Sequence, residues 1–310
     1  AALAGVLCAL AAGCGVGEGK STGEIKLTVS RDFGVERLKP PVKGDAHAGE
    51  TVMRLLQSEF DVKTRYGGGF VQEIDGVGGG REDGRPVDWF YYVNGLQAPQ
   101  GAAQRKLSAG DQVWWDRHDW TATNNIPAVV GSFPEPFLSG SQGKRFPIRL
   151  VCLGPVGRSC DEVEKRLDAE DVKTVARATL PQSVGADSLR LLVGTWAQVR
   201  QDVAARTLED GPGASGVYAK PAADGRSIAL LDPDGHVAQR LGAGDGLVAA
   251  TQYQGQGATW IITGTDQVGL AAAAAALNEP ELLNHFAVAV DNGTGVPLPV
   301  VKTPQPEATP

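Results

Sequence analysis

The residues best suited to ligand chemistry are aromatic and stand in two short runs, at residues 89–92 and 114–115. Flat indole and phenol rings can stack on a planar or ring-shaped ligand, and a nearby amide can orient it through hydrogen bonds. The candidate ligand-binding residues share such an aromatic or amide side chain and are Trp89, Tyr91, Tyr92, Asn94, Trp114 and Trp115.

The first aromatic run, W-F-Y-Y, is continuous. Successive residues of a strand face opposite sides of a sheet, so these rings must project from both sides. The core of the same domain can cover one side. The other side needs a separate cover, and the sequence leaves three open: a small ligand, a neighbouring domain or a partner protein.

Catalytic and metal-binding patterns are absent from the sequence. It contains no G-x-S-x-G elbow, no H-E-x-x-H and no evident Cys–His pair, and its 4 histidines are far apart. We therefore expect a binding protein without a metal or cofactor, not an enzyme. The net charge of -7 comes without a basic patch, which argues against nucleic acid as a partner.

Two Gly-Thr pairs follow apolar runs in the second half of the chain, in LLVGTW and IITGTD. Thr195 and Thr265 would then stand between a strand and a helix, where a polar ligand group can be bound. The alternative is that Thr195, Thr265 or Asp266 only caps a helix. A third polar segment, LLDPDGH, contains Asp232 and Asp234 but lacks the glutamate of a calcium loop, which favours a β-turn.

The N-terminal residues 1–13 are small and apolar and precede Cys14. They resemble the end of a bacterial lipoprotein signal peptide, which implies lipidation of Cys14 and a tether over residues 14–24. The expected location is then the extracytoplasmic side of the membrane of the cell envelope. The competing interpretation of C-G-V-G-E-G-K-S-T as a phosphate-binding P-loop requires glycine at Cys14 and a helix after Ser21, whereas a strand pattern follows.

Cys152 and Cys160 flank a short loop that contains glycine and proline. A disulfide between them is expected outside the cytoplasm, and two buried free thiols are the alternative.

The elements that would position these residues form an α+β fold. Alternation predicts strands at residues 25–31, 70–74, 89–93 and 112–115, and apolar spacing predicts one helix at residues 50–60 with Thr51 as a candidate cap. A mixed sheet that folds around a single helix is a β-grasp.

The strand end V-N-G, the turn L-x-x-G-D and the strand V-W-W identify a family resemblance. Residues 25–119 are similar to the transcobalamin-like C-terminal domain, a β-grasp module of the soluble-ligand-binding type. The resemblance implies a small soluble ligand, and a corrinoid-like one is a candidate because the module closes over cobalamin in transcobalamins. Nothing in the chain resembles their helical partner domain.

The rest of the chain predicts a linker at residues 120–145, an α/β layered domain at 146–301 and a disordered tail at 302–310. The two Gly-Thr segments each predict a βαβ-like unit, with return strands at residues 217–219 and 287–290.

We expect a lipid-anchored envelope protein that binds a small ligand through the aromatic surface or between its domains. The alternatives are an envelope protein–protein interaction module and an enzyme of unrecognised type.

Overall fold

The computed structural model describes residues 21–155, 157–173, 175–180 and 185–301. Strands predominate over helices, so the chain is a mixed α+β protein. In residues 21–119, which we call the N-terminal unit, the elements are β1 (Ser21–Arg31), β2 (Glu36–Arg37), β3 (Val42–His47), α1 (Val52–Glu59), β4 (Val62–Arg65), β5 (Phe70–Ile74), β6 (Val77–Gly78), β7 (Gly80–Glu82), β8 (Arg85–Val93), β9 (Leu96–Gln97) and β10 (Gln112–Asp119).

The N-terminal unit is built on a mixed sheet in the order β2-β1-β10-β8-β7. β1 runs parallel to β10, and β8 pairs antiparallel with β10. The single helix α1 packs its apolar side on this sheet because Val52, Leu55 and Leu56 are buried in one cluster with the strand residues. As expected, the Thr51 side chain caps the helix by accepting a hydrogen bond from the Arg54 N–H at 3.3 Å.

The N-terminal strands agree with the sequence pattern but extend beyond it. β5 has the expected bounds, whereas β8 begins before and β10 ends after the aromatic runs. β1 begins at Ser21, so the last residues of the predicted tether belong to the sheet. This strand also contradicts the P-loop alternative, which needs a helix there.

Residues 146–301, which we call the C-terminal unit, form a second large sheet in the order β12-β11-β13-β18-β17-β19-β20. Its elements are β11 (Ile148–Cys152), α2 (Gly157–Ala169), β12 (Val175–Ala178), β13 (Leu189–Thr195), α3 (Trp196–Val199), α4 (Val203–Arg206), α5 (Pro212–Ser215), β14 (Ala219–Pro221), β15 (Ile228–Leu231), β16 (Val237–Leu241), β17 (Gly246–Thr251), β18 (Thr259–Gly264), α6 (Gln267–Ala275), α7 (Glu279–Leu282), β19 (Ala287–Asp291) and β20 (Thr294–Leu298).

Strands lie at or next to both predicted return positions, but neither pairs in parallel as a βαβ-like unit requires. After β13 the chain forms short helices and then β14, which joins a separate three-stranded sheet with β15 and β16. After β18 and α6 the chain returns as β19, which pairs antiparallel with β17. Parallel pairing is confined to β12, β11, β13 and β18 among the described strands of this sheet. Apolar strand residues do not encode strand direction, which the pairing partners decide.

Residues 120–145 connect the two units but do not form an exposed linker. Ile126, Val129 and Phe133 are buried, and the backbone N–H of Val130 donates to Phe286 in the C-terminal unit. Gly131 lies so close that an added Cβ would stand 2.8 Å from the Trp114 ring and 2.6 Å from the His285 backbone nitrogen. The segment is therefore packed between the units, and the domain boundaries at its ends stay predictions.

Cys152 and Cys160 form the expected disulfide, with their Cα atoms 6.1 Å apart. The bond joins the end of β11 to the first turns of α2. Cys14, the predicted signal remnant and the predicted tail lie outside the described residues. Within the described ranges, none of the helices has the length and apolar content that crossing a bilayer requires.

Asn94 holds the ends of the two aromatic strands together. Its backbone and that of Gly95 have positive φ angles of 56° and 72°. The Asn94 amide donates to Asp111 Oδ1 and to the Gly140 carbonyl, both at 2.9 Å, and its Oδ1 accepts from the Gln112 N–H at 2.8 Å. One buried side chain thus links β8, the turn before β10 and the connecting segment.

Replacing Asn94 tests this link. Asn94→Ala should lower the free energy of unfolding by about 3 kcal/mol, because buried partners lose their hydrogen bonds and alanine is strained at positive φ. Asn94→Gly removes the same hydrogen bonds without the strain and should lower it by about 2 kcal/mol. Urea denaturation measures both, and the exposed Asn124→Ala should change the value by less than about 0.5 kcal/mol. Equal effects at positions 94 and 124 would contradict the structural role.

Candidate functional site

The predicted aromatic residues lie on neighbouring strands in the centre of the N-terminal sheet. Trp114 pairs with Tyr92 and Trp115 pairs with Tyr91 in the β8–β10 register. Because strand residues alternate, Tyr91 and Trp115 share one face and Tyr92 and Trp114 the other. Both faces are apolar, as the continuous run predicts.

The inner face is covered by α1. Trp89 and Trp115 are buried, and the Trp89 indole N–H donates to the Val77 carbonyl at 3.1 Å. Tyr91 is half-buried and its hydroxyl donates to the Gln100 carbonyl. Burial raises the pKa of Tyr91 to about 12, so the hydroxyl stays protonated at neutral pH.

The outer face is covered by the C-terminal unit. The Phe286 ring lies 5.1 Å from the Trp114 ring and 5.6 Å from the Tyr92 ring, mostly edge-on. Tyr92 and Trp114 are at most 2% exposed. The sequence leaves three possible covers open for this face. In the structure, the cover is the neighbouring C-terminal unit.

This packing corrects the prediction of an open aromatic stacking surface. Four of the five rings are buried, and Asn94 is buried with its amide bound inside the protein. A flat ligand cannot reach these groups unless the two units separate. The four buried rings are those of Trp89, Tyr92, Trp114 and Trp115.

A buried polar network borders the outer aromatic face. The Asp116 carboxylate accepts from the Ser30 hydroxyl at 2.6 Å and from the Gly34 N–H at 2.8 Å, and it contacts the His118 ring nitrogen at 2.9 Å. The His118 ring stacks on Phe90 with a centroid distance of 4.5 Å. Asp116 thus fixes the turn after β1 against β10.

The Gly-Thr turns lie side by side, since Thr195 and Gly264 are register partners on β13 and β18. The Thr195 side chain and Gln198 form a capping box at the start of α3, whereas Asp266 caps α6 through the Val268 N–H at 2.9 Å. The Thr265 hydroxyl donates to the Gly242 carbonyl at 2.6 Å. These contacts are those of helix caps and a turn, so the geometry favours the structural alternative over a polar ligand site.

The acidic turn of LLDPDGH is a β-turn, as predicted. The Gly235 N–H donates to the Asp232 carbonyl at 2.9 Å, and the His236 N–H donates to the Asp232 side chain at 2.9 Å. Ligand atoms of Asp232, Asp234 and His236 lie within 4.8 Å of one another. Asp234 is already engaged in an ion pair with Arg85 at 2.7 Å, so the turn is part of an interface between the units.

An open cleft of about 520 Å³ lies between the two units and the connecting segment, and we call it the amide cleft. Side-chain amides dominate its polar lining and belong to Gln97, Gln100, Asn125, Gln142, Gln252 and Gln254. Leu96, Pro127 and Phe146 provide its apolar lining. Among the described residues, the side chains of Gln97, Gln100 and Gln142 have no hydrogen-bond partner in the protein.

Charges are few and well separated in the amide cleft. Arg105 is buried and held by the Asp111 carboxylate at 3.4 Å, whereas Lys144 and Asp187 lie exposed at the edge. The cleft was not predicted from the sequence. Its signal is a high density of glutamine in L-Q-A-P-Q-G-A-A-Q and T-Q-Y-Q-G-Q, two segments that only the fold brings together.

The contribution of the aromatic cover can be measured at Phe286. Phe286→Ala should lower the free energy of unfolding by about 3–5 kcal/mol, because it opens a cavity between the units. Phe286→Leu should lower it by about 1–2 kcal/mol. The same chemical change at the partly exposed Phe70 serves as the control and should have a smaller effect than Phe286→Ala in urea denaturation. If Phe70→Ala destabilised the protein as much, the cover would not be a principal source of stability.

Comparisons with known proteins match part of the chain. Residues 49–119 match the family model DUF4430, a domain of unknown function. No curated protein matches the chain. A crystal structure of a candidate metal-binding protein from Ruminococcus gnavus ATCC 29149 is similar with 19% identity and a TM-score of 0.24, over 31% of this chain and 97% of that one.

Haptocorrin in complex with Cbi is similar with 14% identity and a TM-score of 0.23, over 32% of this chain and 26% of that one. The first structure is described as that of a metal-binding protein and the second as a complex with Cbi, and neither description names a catalysed reaction.

Proposed function

We propose that the protein binds a small, polar, soluble ligand in the amide cleft. The observation that carries this proposal is the combination of an open cavity of about 520 Å³ with several amide side chains that have no hydrogen-bond partner among the described residues. Small-molecule sites commonly measure about 300–1,000 Å³ and combine apolar walls with a few polar groups. Amides both donate and accept hydrogen bonds, so the cleft suits a neutral ligand rich in amide or hydroxyl groups.

The ligand class that we propose is corrinoid-like. The motifs of residues 25–119 resemble the transcobalamin-like module, and a mixed sheet with one helix on its inner face is compatible with a β-grasp. The rim of a corrin ring carries amide side chains, which match the amides of Gln97 and Gln252 chemically. The contact differs from the one predicted from sequence, because the predicted aromatic rings do not line the cleft.

The cellular setting that we propose is the extracytoplasmic face of the bacterial membrane, with a lipid on Cys14. Two observations support it: the apolar residues 1–13 before that cysteine, and the disulfide between Cys152 and Cys160. Disulfides persist in oxidising compartments and are rare in the cytoplasm. A lipid-anchored binding protein would hold its ligand near the membrane.

The anchor is tested in a bacterial host with the full precursor. The wild-type protein should be recovered from the membrane fraction with a mass increase for the lipid, and Cys14→Ser should be released because the thiol is the attachment point. Cys152→Ala combined with Cys160→Ala is the matched control and should stay with the membrane. An unmodified wild-type chain that retains Ala1 would contradict the anchor.

Ligand binding is tested by calorimetry with cyanocobalamin, cobinamide and a panel of neutral oligosaccharides. Gln97→Ala combined with Gln142→Ala should weaken binding about tenfold, because two hydrogen bonds of about 0.7 kcal/mol each are lost. The exposed Gln57 lies on α1 outside the cleft, and Gln57→Ala should leave the affinity unchanged.

No binding of any probe to the wild-type protein would overturn the small-ligand proposal. It would favour the alternative of a module that binds another envelope protein. Binding of oligosaccharides but not of corrinoids would retain the amide cleft as the site and reject the corrinoid-like ligand.

A further inference from the structure

A second open cavity, with a volume of about 410 Å³, adjoins the amide cleft. It is lined by the turn that precedes β10, residues 104–108, and it shares Gln100, Arg105 and Gln142 with the cleft. We call the place where the two cavities meet, which these three residues line, the arginine junction. A group bound at the junction would be in contact with both cavities.

Arg105 is a buried cation whose donors are not all used. It is 4% exposed, and its guanidinium donates through Nη1 to the Lys106 carbonyl and through Nη2 to the Asp111 carboxylate at 3.4 Å. A guanidinium has five N–H groups, so three of them donate to no described residue. One of the three is the Nε–H, and Nε is not closed to solvent.

Asp111 satisfies Arg105 only in part. Its carboxylate also accepts from the Asn94 amide and from the Ser108 N–H, both at 2.9 Å, so it is shared among three donors. Burial is the largest influence on the pKa of Asp111 and raises it, although Ser108 and Arg105 lower it. Asp111 lines neither cavity, whereas Arg105 lines both. The unused guanidinium donors therefore belong to the side of Arg105 that is open to the cavities.

The surroundings of the junction are poor in negative charge and rich in hydrogen-bond donors. Lys106 lines the second cavity and Lys144 lines the amide cleft, and both are exposed without an ion-pair partner among the described residues. The residues that line the second cavity include no carboxylate, and Asp187 is the acidic residue in the lining of the amide cleft. Positive charge thus predominates here, in a chain whose net charge is -7.

Gln142 holds a strained backbone at the junction. Its φ angle is 54°, in a two-residue turn where the Ser141 N–H donates to the Lys144 carbonyl and the Lys144 N–H donates to the Ser141 carbonyl, both at 3.0 Å. Glycine or asparagine is the usual residue in such a turn, and a longer side chain costs about 1–2 kcal/mol. Strain of this kind clusters at ligand-binding sites. The turn brings an amide without a partner among the described residues to the boundary of the two cavities.

We propose that the arginine junction binds an anionic group, a carboxylate or a phosphate. Arg105 donates to it through the Nε–H and a second unused N–H, because the guanidinium fork matches both groups with two parallel hydrogen bonds. Lys106 adds a second positive charge on a flexible stem, and the Gln142 amide adds a further N–H donor. The site does not require the ligand of the amide cleft. That a ligand of the cleft carries such a group is an extension that rests on the proposed function.

The experiment is an NMR titration of the full, ¹⁵N-labelled chain at neutral pH with sodium phosphate and, separately, with sodium acetate. Sodium chloride at 150 mM screens diffuse surface attraction. At least one of the two anions should shift the amide signals of Lys106 and Gln142 to saturation. The anion that binds more tightly identifies the group as phosphate or carboxylate. Acetamide is the uncharged isostere of acetate and should bind more weakly than the preferred anion.

Three variants locate the binding. Arg105→Lys keeps a positive charge beside Asp111 but lacks the fork, and it should weaken anion binding at least fivefold. Lys106→Gln removes the second charge and should weaken it about threefold. Arg54 is exposed on α1 and has no ion-pair partner in the described part of the chain, so Arg54→Lys is the matched control and should leave the affinity unchanged.

The dispersion of the amide spectrum shows whether each variant is folded, and Lys106→Gln decides the result if Arg105→Lys does not fold. The proposal is overturned if neither anion causes saturable shifts at the junction, if folded Arg105→Lys binds like the wild type, or if Arg54→Lys weakens binding as much as Arg105→Lys. It is also overturned if acetamide binds as tightly as the preferred anion. Anion binding by a protein that binds no neutral probe in calorimetry would retain the arginine junction and reject the small-ligand proposal for the amide cleft.

Discussion

The structure depends on one constraint: the aromatic strands β8 and β10 make both faces of the N-terminal sheet apolar. Such a sheet is stable in water only when both faces are covered, since each buried aromatic ring contributes several kcal/mol and an exposed one contributes almost nothing. The helix α1 covers one face, and Phe286 with its neighbours covers the other. The second cover joins the two units over an aromatic core, so their cavities lie at the edges of this contact.

Local features of the fold were predictable because local chemistry determines them. Thr51 caps α1, the glycine-bounded β5 has the expected ends, and the cysteines eight positions apart are bonded. The need for a second cover over the aromatic strands was also readable from four consecutive rings. The identity of this second cover could not be predicted. Phe286 is a single aromatic residue in an apolar segment, and nothing in the sequence marks it as a contact.

Long-range features were predicted less well, for reasons that are also physical. Strand direction in the C-terminal sheet depends on partners distant in sequence, so β19 could not be distinguished from a parallel return strand. The connecting segment is rich in proline and glycine, which hides the apolar side chains that it buries. The amide cleft brings together glutamines from residues 97–100 and 252–254, and the Asn94 amide is hydrogen-bonded inside the protein. Neither the grouping of these glutamines nor the internal hydrogen bonding of Asn94 leaves a spacing pattern in the sequence.

The packing of Phe286 between the units has a kinetic consequence. A binding protein whose lobes close like a clamshell must open its interface to admit a ligand, and here that opening would expose Phe286, Tyr92 and Trp114 to water. Rigid-body opening is therefore rare on the timescale of ligand encounter. Entry of the proposed ligand into the amide cleft would then require only rotamer changes of surface glutamines, which take nanoseconds or less. Association would be limited by diffusion and orientation, and the residence time of a ligand by its hydrogen bonds alone.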